Sequence, residues 1–142
     1  MAREEFEEIV ETFEFLDDWE DRYRHVIDMG KSMPPMDDNL KSALTKVDGC
    51  VSQVWIAPTI AEEGKAKRLS FIGDSDAMIV KGLIAVLRAM LSGETTGAIV
   101  QTDVTEELRR LGLDQHLSAQ RSNGLKAMVS RLKGLAEAAE AS

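Results

Sequence analysis

Val54-Trp55-Ile56-Ala57-Pro58-Thr59-Ile60 runs into Ala61-Glu62-Glu63-Gly64-Lys65 and then into Arg68-Leu69-Ser70-Phe71-Ile72. This stretch decides the fold. It is the only part of the chain rich in β-branched and aromatic residues, with Val51 just before it. Such residues suit a pleated, half-buried surface. Residues 61–65 read as a hairpin connection between two strands. Pro58 removes one ladder donor, so its strand must be an edge or carry a bulge. A short strand at 45–48 is expected to make a third.

Helical periodicity flanks this sheet on both sides. Phe6, Ile9, Val10 and Phe13 fall on one helical face. Trp19, Tyr23, Val26 and Ile27 mark a second helix over about 18–29, with Asp17 and Glu20 at capping-box spacing and Gly30 as its expected left-handed C-cap. Met33-Pro34-Pro35-Met36 ends it, because proline lacks the N–H and restricts its predecessor. Residues 31–44 read as a connection with one helical turn after Asp37. Gly73-Asp74-Ser75-Asp76 reads as a turn and N-cap before an apolar helix carrying Val80, Leu83, Ile84, Leu87 and Leu91. Gly82 inside that helix marks close packing, since glycine there costs about 1 kcal/mol relative to alanine. Asp103 with Glu106 has cap spacing, and Gly112 follows as a C-cap. Thr95 to Ile99 reads as a turn, as does Asn123-Gly124. Ser118 is the candidate cap of the last helix, whose stripe includes Leu125, Met128 and Leu132. The expected architecture is α+β in one domain over 1–142: a small, about three-stranded antiparallel sheet between N-terminal and C-terminal helices.

Composition narrows the function. The chain has 142 residues, 44% hydrophobic and 30% charged, with 25 Asp and Glu against 17 Lys and Arg for a net charge of −8. That balance argues against nucleic acid and anionic membrane as partners, which both call for basic surface. Aromatic residues are only 5%, too few for a base-stacking platform. Met1-Ala2-Arg3-Glu4-Glu5 is acidic and lacks an apolar signal core. The longest apolar run, Ile79 to Leu91, is interrupted by Lys81 and Arg88 and is too short to span a bilayer. A cytoplasmic location is the expectation.

Cys50 is the only cysteine. It rules out an internal disulfide and fits a reducing compartment. With His25 and His116 it cannot furnish a four-ligand zinc site, so no metal is expected. Gly49 before it opens backbone angles closed to other residues, and Ser52 follows two positions later. A reactive cysteine needs access and a way to stabilise its thiolate. One source of stabilisation is the stretch His116-Leu117-Ser118 followed by Arg121-Ser122-Asn123-Gly124, which gathers donors at a helix start. Arg121 is the candidate cation for a thiolate or persulfide. His116 is an alternative general base for Cys50, which would make a Cys/His hydrolase or acyltransferase. A third reading is an adaptor whose cysteine is inert.

Four blocks in register decide among these. Val47-x-Gly49-Cys50-x-Ser52-x-Val54-Trp55 resembles the signature around the acceptor cysteine of the SufE family, sulfur acceptors of iron–sulfur cluster assembly. Trp19-Glu20-x-Arg22-Tyr23 with Ile27-x-x-Gly30, Gly73-Asp74-Ser75-Asp76-Ala77-x-Ile79-Val80-Lys81-Gly82-Leu83, and His116-Leu117-Ser118-x-x-Arg121-Ser122-x-Gly124-Leu125 are similar to three further family blocks. Order and spacing hold from about residue 6 to 135. The chain departs from the family at Thr45, where asparagine is frequent, and over 36–45.

The resemblance implies a fold shared with the NifU/IscU-like scaffolds and a role as sulfur carrier. A pyridoxal-phosphate-dependent cysteine desulfurase (SufS/CsdA-like) would pass persulfide sulfur to Cys50 and be stimulated by doing so. An iron–sulfur scaffold (SufB-like) would receive it. No cofactor is expected on this chain, which would act as a monomer or homodimer. Gly49 would give the loop freedom, Ser52 would hydrogen-bond the sulfur or fix the loop, and Trp55 and Leu83 would wall a resting cavity for Cys50. Asp74 and Asp76 are candidates for partner binding as well as for capping.

Overall fold

The computed structural model describes residues 2–49 and 52–141. Helix α1 (Ala2–Phe15) buries Phe6, Ile9, Val10 and Phe13, the face its periodicity announces. Helix α2 (Trp19–Ser32) starts at Asp18, whose side chain accepts from Glu20 N. The cap is thus one residue later than Asp17. A 3-10 turn at Asp38–Leu40 follows, with Asp37 accepting from Asn39 N. Met33 and Met36 are buried under this connection.

Strands β1 (Val54–Glu63) and β2 (Ala66–Ser75) form the antiparallel hairpin, in unbroken register from Val54 opposite Ser75 to Glu63 opposite Ala66. Gly64 takes the left-handed conformation the tight turn needs (φ +62°). The third strand is not at 45–48. There only an isolated bridge joins Lys46 to Trp55, and the sheet is completed by the short β3 (Glu94–Thr95) on the other side of β2. β1 is therefore an edge, and Pro58 sits on it without a bulge. Successive backbone groups alternate sides along a strand. Val54 O and Ile56 N face outward, to Val47 N and Thr45 O. Position 58 shares their parity, so the donor that proline lacks is one the hairpin does not use.

Helix α3 (Met78–Leu91) is the centre of the molecule, apolar nearly all round and packed by α1, α2, β2 and α6. Gly30 is not a C-cap. It lies buried inside α2, and α2 and α3 cross where Gly30 meets Gly82: a Cβ on Gly82 would stand 2.2 Å from Val26 O. Residues 95–99, expected as a turn, instead supply the cap (Thr95) and the start of helix α4 (Thr96–Gln101). Its last carbonyls accept hydrogen bonds from Lys133 Nζ. Helix α5 (Val104–Arg110) is capped by Asp103 through Glu106 N, as its spacing indicated. Helix α6 (Ala119–Ala141) runs through Asn123-Gly124 without a turn, because Gly124 is buried against its neighbours and packing overrides its local preference.

Candidate functional site

The chain reaches Gly49 along a short strap that leaves a turn at 42–45 and bridges to β1 at Lys46. Thr45 O accepts from Ile56 N at 2.8 Å and Val47 N donates to Val54 O at 2.9 Å, which fastens the strap to the edge of β1. Gly49 has φ +95°, a conformation other residues rarely adopt, and a Cβ there would lie 3.3 Å from Cβ of Ala127 on α6. Cys50 itself lies outside the described residues. On its far side Ser52 is half-buried, and Gln53 is held by Asp76: Gln53 N donates to Asp76 Oδ1 at 3.0 Å while Asp76 N donates to Gln53 O.

Ser52 lines a cavity of about 300 Å3 with Ala77, Ile79 and Val80 from the start of α3 and Ser118, Gln120, Arg121, Gly124, Leu125 and Met128 from the start of α6. Ser118 caps α6, its Oγ accepting from Arg121 N at 3.3 Å. The first turn of a helix presents free N–H groups and partial positive charge. The Arg121 side chain is exposed, with no ion-pair partner among the described residues. One end of the cavity therefore favours an anion, and the rest is apolar. The structure thus brings Ser52 and Arg121 to one cavity, while Gly49 lies against Ala127 further along α6. The walls are Ile79, Val80, Leu125 and Met128 rather than Trp55 and Leu83, since Leu83 is turned fully into the core and Trp55 lies beneath the Lys41 ammonium.

His116 does not line this cavity. Its ring stacks on Trp19 with centroids 3.9 Å apart, and its carbonyl accepts from Tyr23 Oη. Asp74 is 8% exposed and is gripped by Lys41 at 3.0 Å and Lys81 at 3.4 Å. Burial pushes its carboxyl up, but the lysines and the Ser75 N–H outweigh that and hold it below the usual carboxylate value. The Asp74 hydrogen bond in turn raises Lys41 above the ordinary lysine value, against a smaller loss from desolvation. None of Asp74, Ser75 or Asp76 caps α3 in the usual sense. They tie together the strap, the residues after Cys50 and the entry to the helix.

Sequence reading did not find Lys41, Lys81 or Arg131 as parts of this region, nor Gly124 and Met128 as lining. Lys81 stands in a matching block, and its partnership with Asp74 seven positions earlier was the available signal. Among the described residues no group of three His, Cys, Asp or Glu side chains is gathered as a metal would need. No helix there is long and apolar enough to cross a membrane.

Residues 7–136 match the family model for SufE, described as an Fe-S metabolism associated domain. This chain belongs to the SufE family. Its similarity extends to an uncharacterized SufE-like protein of Rhizobium meliloti, 43% identical over 131 residues that cover 92% of this chain and 94% of the relative. The sulfur acceptor protein CsdE of Escherichia coli is 41% identical over 117 residues, 82% of this chain and 78% of CsdE. In three dimensions the SufE chain resembles a hypothetical protein from Thermus thermophilus solved in solution, with a TM-score of 0.72, 25% identity and full coverage of both chains. The α+β fold with a three-stranded antiparallel sheet and flanking helices is as the sequence led one to expect.

Proposed function

We propose that this chain is a sulfur acceptor and carrier of iron–sulfur cluster assembly, with Cys50 as the residue that takes the sulfur. The observation that carries the reading is the meeting of Ser52, two residues after Cys50, and the exposed Arg121 around one cavity at the start of α6. Membership of the SufE family and the likeness to a named sulfur acceptor support it from outside the geometry.

The donor is a cysteine desulfurase that holds sulfur from L-cysteine as a persulfide; the pyridoxal phosphate belongs to that partner. The Cys50 thiolate attacks the outer sulfur of the desulfurase persulfide. A new S–S bond forms on Cys50, the old one breaks, and its electron pair leaves with the desulfurase thiolate, which takes up a proton. No net redox change occurs. Thiolate fraction sets the rate of such exchanges. A free cysteine has a pKa of ~8.5, so only a minor fraction is ionised at neutral pH without a nearby cation. Arg121 and the first N–H groups of α6 are suited to supply that charge, and later to hold the persulfide anion. In this reading Ser52 hydrogen-bonds the same sulfur. A scaffold of the SufB kind then receives the sulfur by the same exchange in reverse. A reducing compartment such as the cytoplasm suits a lone thiol used this way.

The test is direct. After incubation with a desulfurase and L-cysteine, intact-mass analysis is expected to show one added sulfur, mapped to Cys50 and removed by a thiol reductant. Cys50→Ser is expected to lose both the adduct and any stimulation of the desulfurase. Sulfur uptake that survives in Cys50→Ser would refute the assignment.

A further inference from the structure

The strap that leads into Cys50 is gripped from both sides. Its inner edge, through Thr45 O and Val47 N, is bound to β1. Residues 42–45 form a turn in which Ser42 O accepts from Thr45 N and Lys46 N, and the carbonyls of Leu44 and Lys46 meet Arg131: Nη1 donates to Lys46 O at 3.2 Å and Nη2 donates to Leu44 O. Among the described residues the Arg131 guanidinium pairs with no carboxylate, so its fork is spent on main-chain acceptors. Arg131 stands on α6, about 15 Å along the helix from Arg121 at 1.5 Å per residue. The helix whose first turn lines the cavity also holds the segment that delivers the chain to Gly49, and Ala127, between the two, is the residue Gly49 packs against.

We infer that Arg131 is a positioning residue for Cys50: by clamping the carbonyls of Leu44 and Lys46 it keeps the end of the strap on α6, beside the cavity and Arg121. The inference rests on the reading of Cys50 as the sulfur acceptor, but its test does not use the desulfurase. Arg131 acts through the backbone and does not touch the sulfur. Arg131→Met keeps the apolar stem and removes both donors. Arg131→Lys keeps a charge but offers a point donor in place of the fork.

Cys50 is the only thiol in the chain, so alkylation of the full-length protein by the neutral reagent iodoacetamide reports on it alone. In Arg131→Met the rate is expected to rise roughly fivefold to tenfold, the effect of losing one or two ordinary hydrogen bonds on a local opening equilibrium. Arg131→Lys is expected to fall between the variant and the wild type. These rates are the limiting ones at high pH; the midpoint of the pH–rate profile is expected to rise in Arg131→Met, because a loosened strap lets the thiolate leave the charge of Arg121. Exchange of the Val47 and Ile56 amide hydrogens is expected to quicken in Arg131→Met while the core of α3 keeps its protection. An unchanged alkylation rate, unchanged exchange at those two amides, or a midpoint that stays in place would each overturn the inference. Loss of sulfur uptake by the wild type would instead refute the carrier reading and leave the clamp standing.

Discussion

Replacing Gly82 by alanine sets two physical effects against each other. Helix propensity alone says the change stabilises, since alanine is better than glycine inside a helix by about 1 kcal/mol. The crossing of α2 and α3 says the opposite. The added Cβ would lie 2.2 Å from Val26 O, 2.6 Å from Val26 Cγ1 and 2.7 Å from Val26 C. Two of those three atoms are backbone, so no rotamer change relieves the clash. Restoring a contact of about 3.5 Å parts the helices by roughly 1 Å. The facing Gly30 offers no slack, because a Cβ there would already stand 2.6 Å from Gly82 N. Overpacking of this kind costs about 1–3 kcal/mol, and more when backbone has to move. The net expectation is a loss of about 2 kcal/mol, or a fall in Tm of roughly 6–10 °C for a chain of this size. Thermal and urea unfolding followed by circular dichroism measure it. Gly134→Ala on α6 is the matched control. Gly134 is exposed and a Cβ there has nothing within 4 Å, so propensity acts alone and Tm is expected to rise. A Gly82→Ala protein as stable as the wild type or more so would refute the packing argument.

Two further outcomes follow from the site. Asp74→Asn removes the anion shared by Lys41 and Lys81 and is expected to cost about 1–2 kcal/mol at neutral pH, less than a fully buried pair because both lysines keep water. The Asp74 carboxyl is held below its usual 3.8 in the folded protein. Its contribution is therefore full above that pH and vanishes as pH falls through the folded value, so wild-type and variant urea midpoints should converge only in strong acid; a gap that persists there would refute the pairing. Arg121→Ala is expected to slow sulfur uptake from the desulfurase and to raise the pH at which Cys50 alkylates, with unfolding unchanged. An unchanged pH midpoint would remove Arg121 from the site.

The sequence spoke clearly where one physical effect governed. The hairpin was legible because the β-branched run had no helical competitor, and α1 because Phe6, Ile9, Val10 and Phe13 could serve only one face. It misled where a distant partner decided. Gly30 and Asn123-Gly124 look like helix ends taken alone, yet Gly82 and the cavity wall draw both glycines into helix interiors. The strand expected at 45–48 shrinks to one bridge at Lys46, because turns close on either side of it and Arg131 takes the carbonyls of Leu44 and Lys46. At the site, Ser52 and Arg121 come from separate blocks and line one cavity. The hold of Lys41 and Lys81 on Asp74 joins three separate segments, and no local pattern records such a meeting.

Pro58 on the rim of β1 has a consequence for the protein in a crowded solution. An open strand edge invites the strands of other molecules, and long apolar edges seed aggregates. Here the strap occupies the outward groups at Val54 and Ile56, proline leaves no donor at the next outward position, and Glu62 and Glu63 bring charge to the far end. The hairpin can thus hold the strap that leads to Gly49 at its base while giving neighbouring chains almost nothing to zip onto.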